Sequence, residues 1–249
     1  MVRFTTLTDI GRRPYQEDRY ANQEIIPGIT FCGVFDGHGG HAISEMCKDS
    51  FPAVIKQGIQ DSPYDLSFVI NKSFYTIDNL AYHMNVPQEG STVVYTLITP
   101  TTIWFANAGD SASMVGFKDR SFQQMSMEHK VENEKERIQS LGGFITYYDG
   151  VARVNGTLNV ARSVGDHYMK EYVICKPFLQ SISLESKLQN IAYILLVSDG
   201  ISDVLTPEKL NEIIVNNPTA HREQLINHII NLAKSLGSTD NMTVTLVEF

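Results

Sequence analysis

Ile29–Gly40 reads ITFCGVFDGHGG, an apolar run from Ile29 to Phe35 cut off by Asp36-Gly37-His38-Gly39-Gly40. A short run rich in β-branched and aromatic residues and bounded by glycine is the pattern of a buried strand. At its end stand a hard oxygen ligand (Asp36), a proton donor or second ligand (His38), and glycines that let backbone carbonyls and amides approach an ion or a phosphate. A lone Asp-Gly is most often a hairpin turn. Here the pattern recurs, because Ala192–Val197 (AYILLV) is a second apolar run and ends in Ser198-Asp199-Gly200. Two buried strands that both end in Asp-Gly suggest two carboxylates converging on one cation.

Working outward, the 249 residues suffice for a sizeable core, and no Pro/Gly/Ser linker divides them, so residues 1–249 are read as a single domain. Hydrophobic residues make up 43% and charged residues 19%, a globular rather than a disordered balance. The net charge of −8 comes without any Lys/Arg cluster, which disfavours nucleic-acid binding. The longest apolar run, Ile191–Val197, is too short to cross a bilayer, and MVRFTTLTDI lacks the apolar segment of a signal peptide. Cys32, Cys47 and Cys175 are too few and too scattered for a metal knuckle or a disulfide framework. A cytoplasmic or nuclear location and a monomer are the expectations.

The remaining pattern alternates strand and helix signals. The spacing predicts strands at Met1–Leu7, Ser91–Ile98, Thr102–Asn107, Ser111–Phe117 and Met242–Phe249, the middle three as an antiparallel meander. Helical spacing covers His41–Gln57, kinked or divided at Pro52, and Asp65–Met84 with Asp65 as N-cap. Further helices are expected at Glu132–Leu141, after Thr206-Pro207-Glu208, and over His221–Leu236 with Gly237 closing it. Phe144–Val173 reads as irregular. Hairpin-length connections make this an α+β fold with mainly antiparallel sheets.

Acids sit at many strand edges: Glu17, Asp18, Asp36, Asp110, Asp199, Asp203 and Asp240. Any one suits a solvated turn, but collected at one end of a sheet they would repel one another and require cations. Oxygen-only ligation suits Mg²⁺ or Mn²⁺. Two such ions activate water and brace an in-line displacement at phosphorus, and Arg13 or its neighbour Arg12 offers a fork of donors to phosphate. His38 is suited to protonate a leaving alkoxide. This spacing points to a metal-assisted phosphoester hydrolase.

These residues carry a resemblance. Arg13-x-x-x-Glu17-Asp18, Asp36-Gly37-His38-Gly39-Gly40, Gly90-Ser91-Thr92, Asn107-Ala108-Gly109-Asp110-Ser111, Glu128-His129-Lys130, Leu158–Asp166 (LNVARSVGD), Ser198-Asp199-Gly200 with Asp203, and Asp240-Asn241-Met242-Thr243 follow one another in the order of the motifs of the metal-dependent Ser/Thr protein phosphatases of type 2C. The chain resembles that family over nearly its whole length. The resemblance implies a central antiparallel β-sandwich flanked by helices on both faces, and a binuclear Mg²⁺ or Mn²⁺ centre at one edge. By motif position Asp36 would bridge two ions, and Asp199 and Asp240 would bind one. The Gly37 carbonyl and, through water, Glu17 would bind the other, with Asp18 a direct ligand or a holder of metal-bound water. Asp110 and Asp203, with Asp199, match a weaker third-metal site. Arg13, four residues before Glu17, matches the phosphate-binding arginine and His38 the general acid. A flap is expected within 142–172, with Arg162 and Asp166 as its support, and His129 reads as a structural hydrogen-bonder. The substrates implied are phosphoserine and phosphothreonine proteins. Ala112 stands where the family usually has Arg, Val131 where it has Pro and Glu128 where it has Asp. The competing readings are a catalytically weak relative acting as a docking module, and a hydrolase of smaller phosphoesters.

Overall fold

Strands that are apolar on both faces cannot lie against water on either side, and here they are buried between a second sheet and a layer of helices. The computed structural model describes residues 2–63, 65–184 and 190–249. In chain order the elements are β1 (Arg3–Asp9), β2 (Arg19–Ile26), β3 (Ile29–Phe35), β4 (Gly37–His38), α1 (Ala42–Asp61), α2 (Leu66–His83), β5 (Gly90–Ser91), β6 (Val93–Ile98), β7 (Thr102–Ala108), β8 (Ala112–Phe117) and β9 (Phe122–Gln124). They continue with a 3₁₀ turn (Val131–Glu134), α3 (Lys135–Ser140), β10 (Ile145–Tyr148), β11 (Val151–Val154), β12 (Val164–Gly165), a second 3₁₀ turn (His167–Met169), β13 (Phe178–Ser183), β14 (Ile191–Val197), α4 (Asp199–Ser202), α5 (Pro207–Asn216), α6 (Arg222–Ser235) and β15 (Met242–Glu248).

One five-stranded sheet has the order β1-β15-β14-β8-β9 and the other β13-β7-β6-β3-β2, every pairing antiparallel. Alternate residues explain the layers. Cys32 and Val34 of β3 face Ile194 and Leu196 of β14 in the interior of the sandwich. The other face of β3 (Phe31, Phe35) packs with Phe51 of α1, Phe74 of α2 and Tyr95 in an aromatic cluster. The other face of β14 (Tyr193, Leu195, Val197) takes the apolar stripes of α5 and α6. Among the described residues no helix is long and apolar enough to cross a membrane, and the three cysteines are buried free thiols.

Three local expectations change. The helix after the glycines is not divided at Pro52. It runs unbroken to Asp61, because Phe51, Pro52, Ile55 and Ile59 lie on its buried face and that packing outweighs one lost N–H. The meander is real only for β6 and β7. β8 leaves them to pair with β14, so the Gly109-Asp110 turn switches sheets. Gly109 allows the switch with φ +114°, and a Cβ there would strike the Thr92 side chain. Finally, the stretch 144–173 is not irregular. It contains the hairpin β10–β11, turned at Asp149 (φ 47°) and Gly150 (φ 83°), the two left-handed residues of a type I′ turn. Its buried residues, Ala152 and Val154, pack with Val131, Ile138 and Val173 in a small core of their own.

Candidate active site

Strand register, more than any single motif, gathers the acids. Arg19 pairs with Phe35, so Asp18 and Asp36 are neighbours where β2 begins and β3 ends. Val197 pairs with Val244 on one side and Ala112 on the other, which brings Asp199, the Asp240-Asn241 turn and Asp110 to the same edge of the second sheet. The Asp36 backbone carbonyl accepts from Thr92 N–H (2.8 Å), and Thr92 Oγ1 meets Ser111 Oγ at 2.7 Å, tying the two sheets together beside the acids. The segment before β2 is held by Asn241. Its Oδ1 accepts from Glu17 N–H (2.7 Å), and its Nδ2 donates to the Ile10 and Tyr15 carbonyls (2.9 and 3.0 Å). Gly37 has no room for a side chain, since a Cβ would meet the Glu17 carbonyl and Ser44 Oγ, and Ser44 Oγ donates to that same carbonyl at 2.6 Å.

The carboxylates are crowded enough to change their chemistry. Burial, then Asp199 and Asp18, pushes the Asp36 carboxyl well above its ordinary value. Burial, with Asp110 and Asp240, does the same to Asp199. Burial raises Asp18 to about 6, although Thr243 and Ser198 work against it, donating to its Oδ2 at 2.7 and 2.8 Å. Asp110 is likewise raised to about 6 by burial and by Asp203. Carboxyls crowded this way relieve their repulsion by keeping a proton or by sharing a cation.

Among the described residues, no three carboxylate, imidazole or thiolate groups already close round one point. The acids rest on other partners: Asp240 Oδ2 on the Arg13 guanidinium at 2.6 Å, Asp203 Oδ1 on Lys130 Nζ at 3.0 Å, and Asp18 on the two hydroxyls. Asp18 Oδ1 and Asp110 Oδ1 are nevertheless buried without any hydrogen-bond partner. Hard oxygens, two of them orphaned, in a group of carboxyls that hold their protons too tightly, fit a divalent cation such as Mg²⁺ or Mn²⁺. The raised Asp36 and Asp199 carboxyls, beside the orphaned Asp18 Oδ1 and close to Asp240, Glu17 and the Gly37 carbonyl, fit such an ion. Asp110 supplies the second orphaned oxygen, while its neighbour Asp203 is 54% exposed and paired with Lys130.

His38 stands apart from the acids in a small three-stranded sheet of order β12-β5-β4. His38, Gly90 and Gly165 lie in one row of it, and Asp166 follows directly. His38 Nε2 meets Asp166 Oδ2 at 2.7 Å, and Asp166 is fully buried, left-handed (φ 51°), and accepts from Ser163 Oγ at 2.5 Å. A Cβ on Gly90 would collide with both members of the pair. Burial alone would lower the imidazole pKa. The Asp166 carboxylate, with Asp110 and Glu17 behind it, more than offsets this and raises it above 6.5.

Asp166 and Arg162 were grouped in the sequence as flap support, but they part company here. Arg162 bonds Glu134 and the Lys176 carbonyl (2.9 Å), whereas Asp166 meets His38. Glu89 was missed altogether. Its Oε2 accepts from the Ala42 N–H at 2.8 Å, so it caps α1 in place of His41, whose side chain does not. Its position three residues before Thr92 offers no local signal, since the capped helix is more than forty residues earlier in the chain. Ala112, in place of the family arginine, packs apolarly with Met114, Leu195 and Leu205 beside a cavity of about 20 Å³.

Residues 22–242 match the family model described as Protein phosphatase 2C. The chain is 27% identical to "Probable protein phosphatase 2C 32" of Oryza sativa subsp. japonica over 95% of its own length, and it spans 63% of that protein. It is 30% identical to "Probable protein phosphatase 2C 54" of the same plant, over 100% of its own length and 73% of the relative's. Among solved structures it is similar to that titled "Structure of a C.elegans sex determining protein", with a TM-score of 0.89 and 27% identity, covering 99% of this chain and 64% of that one. The chain thus spans less than two thirds of some of these relatives. Its fold, its motif order and the family match agree, and the chain belongs to the protein phosphatase 2C family.

Proposed function

We propose that the chain is a metal-dependent protein serine/threonine phosphatase acting on phosphoserine and phosphothreonine. The observation that carries this reading is the crowd of buried carboxyls at one edge of the sandwich, with the His38–Asp166 pair and Arg13 beside it. Asp36, Asp199 and Asp240, with the Gly37 carbonyl and Glu17, would hold two divalent cations. When bound, these would supply Lewis-acid polarisation of the phosphoryl oxygens and a lowered pKa for water.

The chain's own groups supply the rest. Asp18, fixed through Oδ2 by Ser198 and Thr243, keeps Oδ1 for the cation site or its water. Arg13 is 51% exposed, so its fork reaches an incoming phosphate while one nitrogen stays on Asp240. His38 in its charged form uses Nε2–H on Asp166. That leaves Nδ1–H to pass a proton to the seryl or threonyl oxygen as the P–O bond breaks.

The direct test is phosphate release from a phosphothreonine peptide with Mn²⁺, with Mg²⁺ and with a chelator. Turnover that needs the metal is expected. Equal turnover in chelator would end the reading, and turnover confined to small phosphomonoesters would move it to a different substrate class.

Asp166→Asn tests the proton donor. It removes the carboxylate that raises the His38 pKa, so kcat is expected to fall about ten- to a hundredfold with KM little changed. The alkaline limb of the pH–rate profile should move to lower pH, because the acid form of His38 is then lost sooner. An unchanged limb would assign the proton to another group.

A further inference from the structure

Two left-handed residues in succession, Gly165 (φ 84°) and Asp166 (φ 51°), carry the chain past His38. A residue with a Cβ keeps such a backbone only where its surroundings fix it. Here they do so through both backbone groups of Gly165. Its N–H donates to Asp78 Oδ1 of α2 at 2.9 Å, and its carbonyl accepts from Lys170 Nζ at 2.6 Å. Those two side chains are each other's counter-ion, with Lys170 Nζ 2.6 Å from the same Asp78 Oδ1. The Ser163 carbonyl takes the third ammonium donor at 3.1 Å, so all three are used. His167 Nε2 adds a donation to the Asp78 backbone carbonyl at 3.1 Å. Both members of the ion pair are largely buried, with side chains 13% and 22% exposed, so neither is a loose surface charge.

We propose that Asp78 and Lys170 are positioning residues for the reaction: they clamp the Gly165-Asp166 turn and so hold the Asp166 carboxylate on His38. Rotating the turn would part the Gly165 N–H from Asp78 or its carbonyl from Lys170, and either loss leaves a largely buried charge short of a partner. Ser163 joins the clamp to the carboxylate itself. Its carbonyl is on Lys170, while its hydroxyl donates at 2.5 Å to Asp166 Oδ2, the oxygen that meets His38 Nε2. A carboxylate displaced by about an ångström would no longer hold the imidazole toward a leaving oxygen, and catalysis is sensitive to errors of that size. α2 thereby does more than cover the sheet, because Asp78, 87 residues from Gly165 in the chain, ties it to the proton donor.

The inference rests on the proton-donor role proposed above for His38, and the experiment separates the two. Two substrates are compared with Mn²⁺: a phosphothreonine peptide, and p-nitrophenyl phosphate, whose leaving group departs as a stable phenolate and needs little from a proton donor. The proteins are wild type, Lys170→Met, Asp166→Asn and the double variant Lys170→Met/Asp166→Asn. Lys170→Met is expected to lower kcat on the peptide about tenfold with KM little changed, and kcat on p-nitrophenyl phosphate by less than about twofold. Added to Asp166→Asn, it should lower kcat on the peptide no further, because the group it acts through is already gone. Equal losses on the two substrates, a loss that multiplies with that of Asp166→Asn, or no loss at all would overturn the inference and leave the metal mechanism standing. Asp166→Asn without effect on the peptide would remove the proton-donor role and this inference together. A wild type without metal-dependent turnover of the peptide would overturn the protein phosphatase reading and this one with it. If Lys170→Met does not fold because Asp78 is left without its counter-ion, Asp78→Leu/Lys170→Met removes both charges at once and decides by the same comparison.

Discussion

Asp36→Asn is expected to lower metal-dependent phosphate release by about a thousandfold or more, and to make the metal-free protein more stable at neutral pH rather than less. Both effects follow from one position. Asp36 follows β3, lies beside Asp18 and Asp199, and its carboxyl is pushed up by burial and then by those two neighbours. An amide keeps its shape and hydrogen-bonding capacity but brings no charge. The cation site loses its central anion, while the fold loses a repulsion. A structural aspartate would behave in the opposite way, with stability falling and activity following in proportion. The pair of measurements, phosphate release and thermal unfolding in chelator, therefore discriminates: a variant that keeps turnover excludes a mechanism centred on these acids.

The metal-free chain is expected to lose stability as pH rises from about 4 to about 8, and added Mn²⁺ should reverse the loss. Asp18 and Asp110 hold their protons up to about 6 when folded, against 3.8 ordinarily. The folded state thus binds protons more tightly than the unfolded one. The associated stabilisation is complete below the unfolded value and disappears as pH passes the folded value. Asp36 and Asp199 extend the window upward. His38 acts in the same sense, since its raised value stabilises only while the ring is protonated. His129 opposes them: burial lowers it to about 4, so its contribution to stability grows as pH rises from there to the ordinary imidazole value, and it offsets part of the loss below about pH 6.5. Asp9 and Glu45 are lowered as well, and their stabilising contribution is already present above the ordinary carboxyl range. For Asp18 alone the rise to about 6 corresponds to about 3 kcal/mol, or a change in Tm of about 5–10 °C for a chain of this size. The check is thermal unfolding across that pH range with chelator and with Mn²⁺. A stability that is flat in chelator would mean the acids are neutralised by something other than a shared proton.

Much of this was legible in the sequence because the signals were local. The Ile29–Phe35 and Ile191–Val197 runs are the strands β3 and β14, and the spacing of Leu66 to Ala81 gave α2 with its Asp65 cap. The acids could be named because each follows or precedes such a run. What stayed hidden was pairing. Nothing in SASMVGF says that β8 leaves β7 for β14, since both sheets present an apolar face to it. β2 (RYANQEII) is an edge strand with polar residues, and its pattern is that of a loop. The hairpin at Asp149-Gly150 did carry its usual turn pair, but the strands beside it are four residues long, and only Ala152 and Val154 of them are buried. Asp166 lies 128 residues from His38, and a partnership at that separation is set by β12 pairing with β5, which no local spacing records.

The two sheets give the site a further property. Asp36 leaves one sheet, while Asp199 and Asp240 leave the other. What separates them is the layer formed by Val34, Val94, Phe105, Val115, Ile194 and Leu196, all without solvent exposure. The interior of the sandwich is thus a spacer gauge for the carboxylates at its rim. A close-packed layer passes a change of one methylene on to its boundaries instead of absorbing it. If the rim acids hold cations as proposed, exchanges among valine, leucine and isoleucine deep between the sheets are expected to change ion preference with every proposed ligand left in place.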